Sequence, residues 1–159
     1  MYTEAALKEA VLGLIASLHV CSLATSGQGQ PHVVSLMYAY AGFELFWFSD
    51  PATMHSRHID AIPLARVAVT IATDHEDFTT IQGVQMVGVA RFLTDPREAA
   101  AAFPLLTRRF EFLARIAETS DPVAEALHRA GIYRFTPDRV TLIDNTKGFG
   151  YKMSFIPDY

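Results

Sequence analysis

Apolar residues recur along this chain with two periods, and the change from one to the other divides it into elements. Over residues 3–18, Leu7, Val11, Leu14, Ile15 and Leu18 repeat at threes and fours, which predicts an amphipathic helix capped by Thr3. Beyond it the period falls to two or the apolar run becomes continuous. Residues 19–25 predict a strand, Ser26-Gly27-Gln28-Gly29 a hairpin turn, and residues 30–40 a second strand. Ala41-Gly42 then turns the chain into FELFWFS. There Phe43, Leu45, Trp47 and Ser49 share one face and Phe46 and Phe48 the other, so both faces are expected to be buried. Asp50-Pro51 marks a corner, Thr53 is placed to cap a short helix starting at Met54, and Pro63 stops that helix. RVAVTIA at 66–72 is β-branched strand, and 74–78 is a polar connection. Residues 80–93 form a strand long enough to curve. Within it Gly83 and Gly88 mark a bend, a bulge or the close approach of backbone or ligand.

The rest of the chain opens two helices with a capping aspartate and a proline. Asp95-Pro96 starts one reaching about residue 118, and Asp121-Pro122 starts another ending at Gly131. Two short strands, 132–135 and 140–144, are expected to turn at Thr136-Pro137-Asp138-Arg139, before a polar, aromatic tail NTKGFGYKMSF. Strands that follow one another through hairpins predict a mainly β (α+β) chain, an antiparallel barrel with flanking helices. Residues 1–159 are expected to make one domain with a helical insertion at about 95–130.

Composition narrows the class of partner. Half of the residues are hydrophobic, which excludes a disordered chain, and a net charge of −4 argues against binding nucleic acid. Cys21 stands alone in an apolar strand, where an inert buried thiol in a reducing compartment is expected. No apolar run approaches membrane-spanning length, and Glu4, Lys8 and Glu9 do not make a secretory signal. A cytoplasmic protein without membrane or nucleic-acid partners is therefore expected.

The chemistry concentrates in residues 43–62. The corner after FELFWFS brings Ser49, Thr53, Ser56, Arg57 and His58 together, and hydroxyls, a guanidinium and a helix start are the parts of a phosphate site. Arg57 can equally be a solvated helix residue, and His58 a structural one. His55 and His58 lack the spacing and glutamate of a zinc-protease helix, and His19, His32 and His75 show no ligand pattern, so no metal is expected. Neither a nucleophile elbow nor a glycine-rich dinucleotide fingerprint is present. Gln85, between the two strand glycines, carries a donor and an acceptor suited to a polar ring edge, or else faces solvent.

Four stretches carry a resemblance: Ser56-Arg57-His58; Gly83-Val84-Gln85 with Gly88; Arg108-Arg109-Phe110; and Asp144-Asn145-Thr146-Lys147-Gly148-Phe149-Gly150. In order and spacing the chain resembles the FMN-binding split barrel of the pyridoxamine-phosphate-oxidase-like superfamily, in its YhbP-like branch, and the closing DNTxGFG is the specific part. The resemblance implies a homodimer holding two FMN molecules in clefts between the barrels. It implies a phosphate held by Ser49, Ser56, Arg57 and His58, and a ring edge and ribityl chain against Val34, Ser35 and Gln85. It also implies completion by Lys147, Phe149 and Lys152 across the dimer. Tyr38, Tyr40, His32 and Tyr151 are candidates for the open face of the ring. Many relatives carry a lysine and a downstream asparagine where this chain has Arg57 and Asp60, so Asp60 should face away from a phosphate. The function implied is a flavin-dependent oxidoreductase acting on a small molecule, with any NAD(P)H binding transiently over the flavin. A split barrel for haem or a deazaflavin, and a cofactor-free dimeric barrel, are the alternatives.

Overall fold

The computed structural model describes residues 1–117 and 122–159. Helix α1 (Glu4–Ser17) is capped as its sequence predicts: Thr3 Oγ1 accepts from Ala6 N at 3.2 Å, and Leu7, Val11 and Ile15 form its buried stripe. Strands β1 (Val20–Gly27) and β2 (Gln30–Met37) form a hairpin whose two turn residues, Gln28 and Gly29, both have positive φ. β3 (Ala39–Ala41) and β4 (Glu44–Ser49) follow, then α2 (Met54–Asp60), β5 (Ala65–Ala72) and β6 (Gln82–Phe92). Helices α3 (Pro96–Arg109), α4 (Glu111–Ala117) and α5 (Pro122–Arg129) precede β7 (Gly131–Asp144) and β8 (Lys152–Phe155). The α3 cap is as expected, with Asp95 Oδ1 accepting from Arg97 N; the Asp121 cap and the helix end at Glu118 lie outside the described residues. Among the described residues, no helix is long and apolar enough to cross a membrane.

All strand pairings are antiparallel, in the order β2-β1-β5-β6-β7-β4-β3, with β8 added to β7. The two ends of that order, β2 and β3, are separated in sequence by Tyr38 alone. Consecutive Cα atoms lie only about 3.8 Å apart, so the sheet must curl until its edges meet. This is a split barrel. Tyr38 is fully buried at the seam, where its hydroxyl donates to the carbonyls of Ile15 and Leu18 at the end of α1, 2.8 Å to each.

Inside the barrel, Leu23, Val67, Val69, Ile71, Val84, Met86 and Leu142 meet the α1 stripe, and Trp47 stacks on Tyr133. β4 is covered on both faces, as its sequence predicts: Leu45 and Trp47 point into this core, while Phe46 packs with Leu93, Ala102, Leu106 and Ile132 under α3.

Four sequence expectations are corrected. The strand of 30–40 breaks at Tyr38, where the chain changes sheet edge. The helix opened by Asp95 breaks at Phe110, whose φ of −126° and ψ of 80° are not helical. Residues 132–135 and 140–144 are one strand, because Thr136-Pro137-Asp138-Arg139 runs on beside β6 through a register shift at Val87/Gly88. The Thr53 side chain makes no cap bond; its hydroxyl lies 2.8 Å from Asp50 O.

Candidate functional site

The corner after β4 is built by alternation. Ser49 continues the inward row of Leu45 and Trp47, so its hydroxyl is buried and meets α2 as that helix folds back. Four polar side chains connect there. Thr53 Oγ1 lies 2.9 Å from Ser56 Oγ, Ser56 Oγ donates to Ser49 Oγ at 2.9 Å, and Ser49 Oγ lies 2.7 Å from His55 Nε2. Burial, with the neighbouring His32 and His58, holds the His55 imidazole below its ordinary pKa, which favours the neutral ring; in its Nδ1–H tautomer Nε2 accepts from Ser49.

His58, one turn on, reaches the other way. Its Nδ1 lies 3.0 Å from Thr25 Oγ1 on β1, and its ring lies so close to Gly27 that a Cβ there would approach Cδ2 to 2.4 Å. His32 sits opposite Thr25 in the β1–β2 register and joins the two α2 histidines, with ring centroids 6.1 Å from each. Arg57 lies on the exposed side of α2, and among the described residues nothing pairs with its guanidinium. Asp60 accepts from the Tyr133 hydroxyl at 3.0 Å, and Ser56 bonds that same hydroxyl, so the carboxylate lies one side chain from the corner. Among the described residues, no group of three or more His, Cys, Asp or Glu is placed to hold a metal ion.

The remaining predicted residues lie elsewhere. Val34 points inward against the core. Ser35 and Gln85 share the outer face of the sheet, on one cross-strand row: Ser35, Ser22, Thr70, Gln85, Thr141, Ser154. Lys152 lies on the next same-face row, opposite Ile143. Lys147 and Phe149 sit in the loop after β7, where the Lys147 ammonium lies 5.9 Å from the Tyr2 ring centre and exposed Phe149 meets Phe78 edge-on. A single chain thus gathers Ser49, Ser56 and His58 at the corner and leaves Gln85, Lys152 and Phe149 on other surfaces. Tyr38, a candidate for the ring's open face, is instead a core residue.

Two residues of the quoted motifs turn out to be structural. Asp144, fully buried, accepts from Tyr2 Oη (2.7 Å), Gln82 Nε2 (3.1 Å), Thr146 N (3.1 Å) and Thr146 Oγ1 (2.6 Å), and so ties the N-terminus to the DNTxGFG loop. Arg109 reaches the carbonyls of Ile15, Ala16 and Leu18 and stacks its guanidinium over Tyr38 and Tyr40, at 5.3 and 4.9 Å. His55 and His32 are the side chains that sequence reasoning left out of the corner. The signal for His32 was the hairpin, since a tight turn at Gln28-Gly29 pairs it with Thr25.

An antiparallel split barrel with a polar corner between a strand and a short helix defines the class. Residues 8–143 match the family model of pyridoxamine 5'-phosphate oxidase, and the chain belongs to that family. It is 30% identical over 146 residues to UPF0306 protein YhbP of Salmonella schwarzengrund, an alignment covering 91% of this chain and 89% of that protein. The fold is shared with a heme binding protein from Mycobacterium smegmatis (TM-score 0.72, 21% identity, covering 98% of this chain and 59% of that one). It is shared as well with an FAD binding protein from the same organism (TM-score 0.64, 15% identity, 85% and 92%).

Proposed function

We propose that the protein is an FMN-binding flavoprotein, an oxidoreductase acting on a small molecule, and that it works as a homodimer. The observation that carries this reading is the donor set at the corner: the imidazoles of His32, His55 and His58, the hydroxyls of Thr25, Ser49, Thr53 and Ser56, and Arg57 on the exposed side of α2. Imidazole, hydroxyl and guanidinium groups are donors of the kind a phosphate monoester needs, and Asp60, the nearby carboxylate on α2, is engaged by Tyr133. When bound, the flavin supplies two-electron chemistry. The chain's own part is to hold the phosphate at this corner and to present the Gln85 amide to a polar ring edge. Lys147, Phe149 and Lys152 of a second copy would close the site against water. Residues 1–159 carry no glycine-rich dinucleotide fingerprint, so an electron-donating nicotinamide would meet the flavin transiently.

The outer sheet face supports the dimer. Val33 (65% exposed), Val20 (50%), Met37 (45%) and Val87 (39%) stand around the small polar row through Gln85, and apolar surface of this kind is what association covers. The spectrum of the purified protein, followed by reconstitution with FMN, tests the cofactor. Paired blue and near-ultraviolet bands and quenched flavin fluorescence are expected, and a preparation that FMN does not reconstitute would remove the flavin reading. A Soret band would favour haem, the reading that the M. smegmatis heme binding protein keeps in view. Stopped-flow mixing of the FMN-loaded protein with NADPH and with NADH should bleach the flavin; no bleaching with either would remove the nicotinamide step.

A further inference from the structure

We propose that His32, His55 and His58 form a proton-coupled grip for a phosphate monoester, so that binding the anion draws a proton into the corner. This grip rests on the flavin reading only for the identity of its ligand. The ring centroids of His32 and His55 are 6.1 Å apart and their planes parallel to within 1°, while His58 meets His32 edge-on at the same distance. Among the described residues no group of three or more His, Cys, Asp or Glu is placed to hold a metal ion, so the ligand proposed for these rings is an anion. Imidazoles this close cannot all carry charge without a counterion. His55 Nε2 and His58 Nδ1 are already engaged by Ser49 and Thr25, whereas half-buried His32 has no hydrogen-bond partner among the described residues, and its ring nitrogens remain for a ligand.

The hydroxyls let the proton enter. With His55 neutral, hydrogens run Thr53 to Ser56 to Ser49 to Nε2. With His55 protonated, Nε2–H donates to Ser49 and the chain reverses; Ser56 donates to Thr53, whose hydroxyl donates to Asp50 O at 2.8 Å. Every hydroxyl is satisfied in both arrangements, so no buried polar group is stranded. The charges acting on His55 are those of His32 and His58. Of the other charged groups nearby, Asp50 faces Arg129 at 3.9 Å, Asp60 takes the Tyr133 hydroxyl, Arg66 on β5 is paired with Asp138, Arg91 on β6 with Glu98, and Arg57 is exposed. β1 presents Thr25 and Gly27 to the cluster and β2 presents His32. Burial disfavours the charged form of His55 in the unliganded corner, and a dianion beside the rings reverses that balance.

FMN affinity, read from flavin fluorescence at pH 8 and pH 7, tests the coupling above the phosphate's own second pKa of about 6. Uptake of up to one proton makes FMN bind up to about tenfold more tightly at pH 7. Riboflavin, which lacks the phosphate, should show no change, and His32→Asn should flatten the FMN response while retaining the native circular dichroism. FMN that binds equally at both pH values, or a His32→Asn variant with the full response, overturns the grip and leaves the flavin reading standing. Inorganic phosphate added to flavin-free protein, with the histidine ring protons followed by NMR, separates the two. Titration midpoints should rise with phosphate and not with chloride, and indifference to phosphate overturns the grip. Midpoints that rise in a protein FMN does not bind would keep the grip and discard the flavin.

Discussion

At the scale of single residues, the buried polar groups make claims that pH and substitution can test. His55 has its pKa lowered by burial and by its histidine neighbours, below the 6.5 it has when unfolded. A depressed folded pKa means that the associated stability is fully present above the unfolded value of 6.5 and is lost as pH falls below it toward the folded pKa. The flavin-free protein should therefore lose melting temperature on going from pH 7 to pH 5.5, and added phosphate should restore part of it. A flat profile over that interval would contradict a neutral, buried His55. Asp144 gives a second window. Burial pushes its carboxyl up, but hydrogen bonds from Thr146, Tyr2 and Gln82 outweigh this and leave it below 3.8. Its contribution is present above about 3.8 and disappears only as pH falls further. Asp144→Ala strands several donors and should cost about 2–4 kcal/mol in urea unfolding at pH 7. Neither residue's task was legible in the sequence, because nothing local says which donors a folded chain will bring to a carboxylate 142 positions from Tyr2. The pair Arg108-Arg109 makes the same point: Arg108 bonds back to Pro104 on its own helix, while Arg109 clamps the end of α1. Arg109→Lys keeps the charge and loses the fork and the stacking, and should cost about 1–2 kcal/mol by the same measurement.

Elements were more legible where a single period governs them. α1, the β1–β2 hairpin and the alternation of β5, with Ala65, Val67, Val69 and Ile71 inward, follow from local sequence because one buried face dictates each. The sequence of β7 departs from its structure for an equally physical reason. Thr-Pro-Asp-Arg is turn composition, yet here the proline lies opposite a bulge, where the ladder is already interrupted. The partner that permits this is Gly88. A Cβ there would sit 2.2 Å from Thr136 O, so the close approach at Gly88 is that of β7's backbone. Gly88→Ala should accordingly cost about 2–3 kcal/mol and lower the unfolding midpoint, whereas the same change at Gly13, with open space around it, should not clash with anything. Equal stabilities for the two variants would mean that the bulge can relax.

At the scale of the molecule, closure and association are linked. The single residue between β2 and β3 forces the sheet edges together, and Tyr38 and Arg109 pin that seam to the end of α1. The curl leaves one broad outer face, on which Ser35, Gln85 and Lys152 stand among the exposed Val20, Val33, Met37 and Val87. The sequence could place these residues on strands but not on a common face, because same-face neighbours on different strands are set by register, which local pattern specifies only where one side is buried. If this face is where two copies meet, a charge at its centre must be desolvated on association, which disfavours the dimer strongly. Val33→Asp with Met37→Asp, both on exposed positions of β2, should leave the monomer's fold intact and convert a dimer into a monomer by light scattering. Because Lys152 and Phe149 lie away from the corner of their own chain, the separated monomer should also bind FMN at least about tenfold more weakly, the effect of losing roughly 1.4 kcal/mol of contacts. A native protein that is already monomeric removes the intersubunit site altogether. A monomeric variant with undiminished FMN affinity keeps the dimer but confines the flavin to one chain, which would place its ring over residues of the corner and not over Gln85.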